Sequence, residues 1–363
     1  MRFDTHAAEW NDWQWHLRNR IDSIEKLRDV LPLSDREATE ASGVIQRFPM
    51  MITPYYASLI DPNDPDCPIR RQVVPSEDEL HDPAGIPDPI DEVSQSPVPG
   101  VIRIYPDRVA FTAFNVCPVF CRYCFRKRLF DPDAVPPPRT QIDAGIRWIE
   151  NTPEIRDVLV TGGDPLMATD AWLANLLTRL RAIPHVEVIR LGTRAPVALP
   201  QRITPELCEI IERHHPVWIN THFNHPKELT PEAAAACDRL TRAGAPVGNQ
   251  SVLLRGINDD EHVMRELVTG LVKMRVRPYY LFQCHLVDGT AHFRTSIERG
   301  TQISASLRGY ISGIANPLYI VDTPRGKVPI LPKNGFVRRE GDDVELETFE
   351  GQEWREWNPR DGT

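Results

Sequence analysis

The chain has 363 residues, which is long enough for one large α/β domain with appended segments. Its 42 basic and 51 acidic residues give a net charge of −9, which argues against a nucleic-acid-binding surface. Seven cysteines without an N-terminal apolar signal do not suggest a secreted disulfide framework, and no apolar run approaches the ~18 residues of a membrane span. We therefore expect a cytoplasmic protein with no nucleic-acid or membrane partner.

Residues 1–100 are predicted to form an N-terminal helical and extended wrapping region. Apolar residues recur at helical spacing over residues 5–50, among them Trp10, Trp13 and Ile24, as in an amphipathic helix that packs on a larger body. From Pro54 to Pro99, prolines and acidic residues interrupt every periodic pattern. This second half is expected to be a strap with little regular structure.

Residues 101–300 alternate short apolar runs with helical stretches. Six runs read as strands, centred on Val109–Thr112, Val158–Val160, Val186–Leu191, Val217–Asn220, Val247–Val252 and Tyr279–Phe282. Most of the intervals between them have the length of a β-α-β unit. An α/β fold with a partial (βα)6 TIM-like barrel is more economical than a doubly wound sheet, although periodicity alone does not decide between them.

The positions of the polar motifs favour the barrel. Each predicted strand is followed by reactive or ligand-like residues, namely Cys117, Thr161–Asp164, Gly192–Arg194, His222, Asn249–Gln250 and His285. Barrel enzymes build their active sites at the carboxyl ends of the strands. We therefore expect these motifs to meet on one rim.

Cys117, Cys121 and Cys124 form a CxxxCxxC motif within eight positions. A structural zinc site usually takes four protein ligands, whereas three thiolates can bind three irons of a [4Fe–4S] cube and leave the fourth open. The spacing is similar to that of the radical S-adenosylmethionine (SAM) enzymes, in which the open iron chelates SAM. The alternatives are three buried cysteines on a tight turn, or a zinc site completed from elsewhere.

A second motif, Thr161–Asp164, directly follows a predicted strand. Gly162 and Gly163 allow the backbone to approach a ligand closely, and Asp164 can accept a hydrogen bond from an ammonium group. Alone, the pair of glycines indicates only a turn. After a cluster motif, the three residues become a candidate site for the amino group of SAM.

Over most of its length the chain resembles the lysine 2,3-aminomutase family of radical SAM, pyridoxal phosphate (PLP)-dependent enzymes. The resemblance is carried by an ordered series of motifs: Glu9–Trp13, Tyr105–Arg108, the cysteine motif with Arg126–Arg128, Thr161–Asp164, Asn220–Pro226, Gly248–Ser251, Arg277–Tyr280, His292–Thr295 and Val321–Lys327. It implies an isomerase that moves an amino group between C2 and C3 of an amino acid, with a [4Fe–4S] cluster, SAM and PLP as cofactors.

The resemblance also implies roles for single residues near the cofactors. Lys327 resembles the lysine whose amine holds PLP, within a C-terminal PLP-binding segment over residues 301–363, although a lysine in a solvated loop is the alternative. Tyr105 and Arg108 fall where the family positions PLP. His222 and Gln250 resemble residues that contact SAM, although His222 also fits a structural histidine at a strand end.

The substrate is predicted from a further set of matching positions. Arg126 resembles the residue that binds the substrate carboxylate, and Asp322 resembles a carboxylate that binds the distal ammonium. In the family's lysine enzymes a second carboxylate follows the cysteine after the sixth strand, whereas here His285 follows Cys284. A basic L-amino acid is therefore predicted. Lysine ranks first, arginine or ornithine also fit, and a glutamate-type substrate is disfavoured because Asp322 would face its carboxylate.

Two other functions remain open at this point. One is an aminomutase that acts on a lysine side chain of a translation factor, and the other is an iron–sulfur binding module that has lost PLP chemistry. As partners we expect a small-molecule amino acid, an electron donor of the flavodoxin or ferredoxin type, and further copies of the chain in a homo-oligomer.

Overall fold

The computed structural model describes residues 3–5, 7–331, 336–340 and 343–357. Within these residues twelve α-helices are present: α1 (Trp13–Arg18), α2 (Ile24–Val30), α3 (Asp35–Ile45), α4 (Pro54–Ser58), α5 (Pro68–Val73), α6 (Arg139–Glu150), α7 (Asp170–Arg181), α8 (Ala195–Ala198), α9 (Pro205–Arg213), α10 (Pro231–Arg242), α11 (Glu261–Lys273) and α12 (Ile297–Leu307). None of the helices in this part of the chain is long and apolar enough to cross a membrane.

The described residues also contain twelve β-strands: β1 (Val101–Ile102), β2 (Arg108–Phe114), β3 (Asp157–Gly162), β4 (Val188–Gly192), β5 (Val217–Thr221), β6 (Val247–Leu253), β7 (Arg277–Gln283), β8 (Leu318–Thr323), β9 (Gly326–Pro329), β10 (Phe336–Glu340), β11 (Asp343–Glu347) and β12 (Glu353–Trp357). The first nine form one sheet, and the last three form a small antiparallel sheet.

The order of strands in the large sheet is the order in the chain, β1 to β9. Strands β2 to β8 are parallel to their neighbours, while β1 and β9 add antiparallel edges. A doubly wound sheet would reverse its strand order at a switch point, whereas a barrel keeps chain order. The predicted partial (βα)6 barrel is therefore confirmed. The sequence predicts six barrel strands, and the structure adds β8 as a seventh parallel strand.

Several barrel helices begin where the sequence carries a capping residue. The side chains of Thr169, Thr204 and Thr230 accept hydrogen bonds from backbone N–H groups in the first turns of α7, α9 and α10. Each cap satisfies one of the N–H groups that a helix start leaves without a partner. The apolar faces of these helices pack on the sheet, and the alternate residues of β3 and β4 that face them are buried.

The N-terminal region contains several short helices, α1 to α3, where the sequence predicts a helical segment. Trp10 is buried, and the His16 ring meets its ring edge-on at a centroid distance of 4.8 Å. At the start of α3, Ser34 and Glu37 form a reciprocal capping box. These helices pack against the main core, as the predicted apolar stripe requires.

The strap, residues 54–99, contains only α4, α5 and one 3-10 helix as regular structure. Four of its carboxylates pair with basic side chains of the barrel loops, among them Asp88 with Arg128. Glu79 pairs with Arg122 and Lys127, Asp82 with Arg294, and Glu92 with Arg126. The strap is thereby fastened across the rim on which the polar motifs lie.

The division into regions 1–100, 101–300 and 301–363 stays a prediction. The boundary at residue 300 falls inside α12, and β8 and β9 extend the large sheet beyond it. Residues 332–335, 341–342 and 358–363 of the predicted C-terminal segment lie outside the described residues.

Candidate functional site

The three cysteines of the motif lie on the loop that follows β2, here called the cysteine loop (residues 115–128). Two backbone hydrogen bonds attach this loop to neighbouring segments, one from Phe120 N–H to the carbonyl of Met51 and one from Arg122 N–H to the carbonyl of Gln72, both 2.8 Å. Since both acceptors belong to residues N-terminal to the barrel, the strap and the segment before it fix the path of the cysteine loop.

The thiols of the cysteine loop share one buried environment. Burial raises the pKa of Cys117, and the negative charges of Asp164, Cys124 and Cys121 raise it further. Burial likewise raises the pKa of Cys124 to about 12, with a contribution from the Cys121 thiolate. The raised pKa values keep the thiols of Cys117 and Cys124 protonated near pH 7 until a cation binds, and metal binding then releases their protons.

The donor set fits an iron–sulfur cluster better than a single metal ion. Among the described residues, no group of three or more His, Cys, Asp or Glu side chains converges closely enough to bind one ion. A [4Fe–4S] cube does not require such convergence, because each thiolate binds a different iron. A cavity of about 370 Å³ adjoins the loop, and its lining includes Cys117, Cys124, Gly162 and Gly163.

The two glycines after β3 are required by the close approach of two backbone segments. Gly162 has φ +128°, and a Cβ there would lie 2.0 Å from the carbonyl oxygen of Phe114. A Cβ at Gly163 would lie 2.6 Å from the carbonyl carbon of Asn115. Any side chain here would displace the start of the cysteine loop, so the glycines place that loop directly against the end of β3.

Asp164 is buried and bridges two loops of the rim. Its carboxylate accepts hydrogen bonds from Leu166 N–H at 3.0 Å, from Thr193 Oγ1 at 2.7 and 2.9 Å, and from Arg194 N–H at 2.8 Å. Burial raises the pKa of Asp164, and these hydrogen bonds oppose the rise. The predicted contact with the amino group of SAM stays a prediction, since the carboxylate already joins the ends of β3 and β4.

Arg194, which ends one of the polar motifs expected on the rim, is buried and contacts four side chains. Its Nη1 donates to Cys121 Sγ at 2.6 Å, and its Nη2 donates to Tyr56 Oη at 2.8 Å, Gln72 Oε1 at 2.9 Å and Glu228 Oε1 at 2.9 Å. The guanidinium places a positive charge beside one of the three thiols. It is the type of charge-assisted contact that stabilises a thiolate.

His222 lies beside the same network. Its Nε2 is 3.1 Å from Tyr123 Oη, and the two rings stack with centroids 5.6 Å apart. Burial lowers the pKa of His222 to about 3, and the charge of Arg194 adds to this effect, while a hydrogen bond with the backbone of Gln250 opposes it. His222 is therefore neutral near pH 7, and it lies next to Gln250. The contact of these two residues with SAM stays a prediction.

A different group of predicted residues meets at the β8–β9 hairpin. Asp322 and Lys327 are directly paired across the two strands, with Lys327 Nζ 3.3 Å from Asp322 Oδ2. The backbone N–H of Lys327 donates to Tyr105 Oη at 2.7 Å, and the guanidinium carbon of Arg108 lies 3.7 Å from the centre of the Tyr105 ring. The three residues predicted to position PLP are thus brought together from both edges of the sheet.

His285 completes this end of the site. Its Nε2 lies 3.6 Å from Asp322 Oδ2, and its ring stacks on Phe125 with centroids 4.9 Å apart. Burial by itself would raise the pKa of Asp322, but His285 and Lys327 outweigh it and lower the pKa. Both Asp322 Oδ1 and His285 Nε2 are buried without a hydrogen-bond partner in the described structure, and such atoms point to a missing ligand.

Phe125 connects the hairpin to the cysteine loop. The guanidinium carbon of Arg126 lies 4.7 Å from the centre of the Phe125 ring. The imidazole of His285 stacks on the same ring. The predicted carboxylate ligand Arg126 and the predicted ammonium ligand Asp322 therefore belong to one continuous site. Phe125 is not among the site residues predicted from the sequence. Its position between two predicted site residues, Cys124 and Arg126, is the sequence feature that could have identified it.

Comparison with known proteins agrees with this arrangement. Residues 112–268 match the model of the Radical SAM superfamily. The chain is 49% identical over 351 residues to an L-lysine 2,3-aminomutase from Clostridium subterminale. The matched region covers 96% of this chain and 84% of that protein. A second L-lysine 2,3-aminomutase, from Fusobacterium nucleatum, is 49% identical over 346 residues, with coverage of 94% and 81%.

A glutamate 2,3-aminomutase from Clostridioides difficile is 45% identical over 346 residues, with coverage of 95% of this chain and 82% of that protein. The fold and the cysteine loop define a radical SAM protein. Within that class, the chain belongs to the lysine 2,3-aminomutase family. Membership confirms the predicted isomerase class and the predicted cofactors, a [4Fe–4S] cluster, SAM and PLP.

Proposed function

We propose that the chain is a radical SAM, PLP-dependent aminomutase that moves the amino group between C2 and C3 of a basic L-amino acid, with L-lysine as the first candidate. The observation that carries this proposal is the pairing of Asp322 with Lys327, beside His285. It puts a buried negative charge and two unpartnered polar atoms where the far end of a substrate would lie.

The substrate class follows from the sign of this charge. The lowered pKa of Asp322 keeps its carboxylate ionised at pH 7. A distal ammonium would gain a charge-assisted hydrogen bond from Asp322, whereas a distal carboxylate would be repelled. Since the relatives include both lysine and glutamate aminomutases, overall identity does not choose the substrate, and Asp322 is the feature that favours a basic one.

Each residue of the site then has a task of binding or positioning. Arg126 would orient the substrate's α-carboxylate, the amine of Lys327 would hold PLP, and Asp322 with His285 would hold the distal ammonium. Two aromatic rings flank this group of residues: Lys327 Nζ lies 5.6 Å from the centre of the Phe282 ring, and the Phe125 ring stacks on His285. When bound, the cluster and SAM supply a carbon radical, and PLP supplies an electron sink.

The partners follow from the same proposal. Radical SAM chemistry needs a reductant, and we propose a donor of the flavodoxin or ferredoxin type. All seven cysteines are free thiols, which agrees with a reducing, cytoplasmic location. We also propose that copies of the chain associate into a homo-oligomer.

The test is an anaerobic assay of the protein reconstituted with iron, sulfide, PLP and SAM under dithionite. L-lysine, L-ornithine, L-arginine and L-glutamate are each supplied, and the β-amino isomers are measured by mass spectrometry. We expect β-lysine as the main product. Isomerisation of glutamate in preference to every basic amino acid would contradict the proposed substrate class, and SAM cleavage with no isomer of any amino acid would contradict the proposed reaction.

A further inference from the structure

A carboxylate from the strap holds the guanidinium of Arg126. Glu92 is only 4% exposed, and its two oxygens accept hydrogen bonds from Arg126 Nε at 3.0 and 3.1 Å, with one from Arg126 Nη2 at 2.7 Å. Nη2 of Arg128 donates to the same carboxylate at 3.0 Å. One buried carboxylate therefore joins two arginines of the cysteine loop.

Glu92 binds one edge of the Arg126 guanidinium and leaves the other edge available to a ligand. A guanidinium can bind a carboxylate bidentately either through Nε and one terminal nitrogen or through its two terminal nitrogens. Glu92 takes the edge formed by Nε and Nη2. Nη1 makes only long contacts, 3.3 Å to Thr161 Oγ1 and 3.5 Å to the carbonyl oxygen of Gly162. No other carboxylate of the described residues pairs with Arg126, so the terminal edge is available to a ligand.

The charges around Arg126 are balanced before any ligand binds. Asp88 Oδ2 lies 3.4 Å from Arg128 Nη2, so two carboxylates of the strap face two guanidinium groups. Removing one partner of a buried ion pair leaves the other charge uncompensated, and an arginine side chain has many rotamers to adopt. Without Glu92, the guanidinium of Arg126 would lose the contact that selects its orientation.

The segment that carries Glu92 is braced by its own hydrogen bonds. The backbone N–H of Val93 donates to Asp88 Oδ2 at 3.1 Å, and Gln95 Nε2 donates to the carbonyl oxygen of Ile90 at 2.7 Å. These bonds lie on both sides of Glu92. The carboxylate is thus presented by a fixed loop, as a positioning contact requires.

Resting on the proposed function, we propose that Glu92 is a positioning residue that aims the terminal edge of Arg126 at the α-carboxylate of the substrate. The strap would then complete the substrate site. Because Glu92 lies on the edge formed by Nε and Nη2, a substrate carboxylate on the terminal edge would not have to displace it.

The experiment uses the reconstituted holoenzyme and two ligands, L-lysine and L-lysinamide, which differ in the presence of the α-carboxylate. The variant is Glu92→Gln, which keeps the shape and removes the charge. Asp91→Asn is the matched control, because it removes an exposed carboxylate next to Glu92 that, in the described structure, pairs with neither Arg126 nor Arg128. Values of kcat and KM are measured for lysine, and the binding of both ligands is measured by calorimetry.

We expect Glu92→Gln to lower kcat/KM for lysine by about ten-fold to one hundred-fold, the effect of losing a charge-assisted hydrogen bond. Its preference for lysine over lysinamide in binding should fall by a similar factor, while Asp91→Asn keeps the wild-type preference. Glu92→Asp, which restores the charge, should recover part of the preference.

Three outcomes would overturn the inference while leaving the proposed function intact: an unchanged preference in Glu92→Gln, an equal loss for both ligands together with a lower unfolding temperature, or tighter binding of lysine. The second would give Glu92 a structural role only, and the third would make it an internal competitor. A wild-type enzyme that isomerises no basic amino acid would overturn the proposed function, and this inference with it.

Discussion

The cysteine loop and the β8–β9 hairpin hold the two ends of the proposed substrate site in different ways. In the loop, Arg126 already pairs with Glu92 and contacts Thr161 and Gly162. At the hairpin, Asp322 Oδ1 and His285 Nε2 have no partner in the described structure. A buried polar atom without a partner costs free energy, so we expect a polar ligand group to stabilise the hairpin end.

The difference between the two ends corresponds to the part of the substrate that each end would bind. Every α-amino acid has the same α-carboxylate, so the protein can build the Arg126 end in advance. The side chain varies, and the relatives include enzymes for lysine and for glutamate. We therefore expect changes in the loop to affect all substrates alike, and changes at Asp322 and His285 to affect the choice among them.

The largest effect is expected from removing one of the predicted cluster ligands on the cysteine loop. Cys121→Ala removes one of three thiolates, so the protein should lose bound iron and all measurable SAM cleavage with every substrate. Iron analysis and the yield of 5′-deoxyadenosine check this. Cys208→Ala, which removes a half-buried thiol of α9, is the control and should retain both. Unchanged iron content and yield in Cys121→Ala would refute the cluster assignment.

The next effect is expected from removing the amine of the hairpin. Lys327→Ala should lower product formation on the order of a thousand-fold or more, as for other catalytic groups, while iron content and SAM binding persist. Borohydride reduction and peptide mapping locate the PLP attachment. The exposed Lys273 provides the control variant, Lys273→Ala, which should bind PLP normally. A PLP adduct on Lys127 or Lys273 of the wild type would be incompatible with the role of Lys327.

A smaller effect is expected from neutralising Asp322. Asp322→Asn removes a charge-assisted hydrogen bond worth roughly 1.5–3 kcal/mol, or about one to two decades in affinity for a cationic substrate. Cluster content and PLP binding should not change. Kinetics with lysine, ornithine and arginine test this, with Asp238→Asn on the surface of α10 as the control. If catalytic efficiency stayed the same for all three, the substrate would not carry a distal cation.

The smallest effect is expected from the histidine. His285→Asp puts a second carboxylate near the position of the imidazole, which lies 3.6 Å from Asp322, so a distal ammonium would meet two carboxylates instead of one. Preference for lysine over arginine should rise about five-fold, the equivalent of about 1 kcal/mol. Competition assays with both amino acids give the ratio directly. A preference that moved towards arginine would show that His285 does not contact the distal group.

Much of the fold could be predicted because its signals are local. Apolar runs followed by amphipathic stretches predicted the barrel strands β2 to β7, and the chain order of the strands removed the alternative of a doubly wound sheet. The strand β8 was missed as a barrel strand because Leu318–Thr323 comes after the last of the six predicted units. Its pairing with β7 depends on α12, which returns the chain to the edge of the sheet.

The site likewise contains residues that lie in local motifs and contacts that form only in the folded chain. Cys117, Cys121, Cys124 and the residues of the hairpin lie in contiguous motifs, so the sequence alone indicated the cofactor set and the enzyme family and placed Lys327 and Asp322 in one short segment. Their pairing across two strands came from the structure. Only the tertiary structure decided that Glu92 holds Arg126, 34 residues away, and that Arg194 reaches Tyr56 across 138 residues. The physical reason is that a buried charge must find an opposite charge wherever the folded chain places one, and no local pattern encodes that partner.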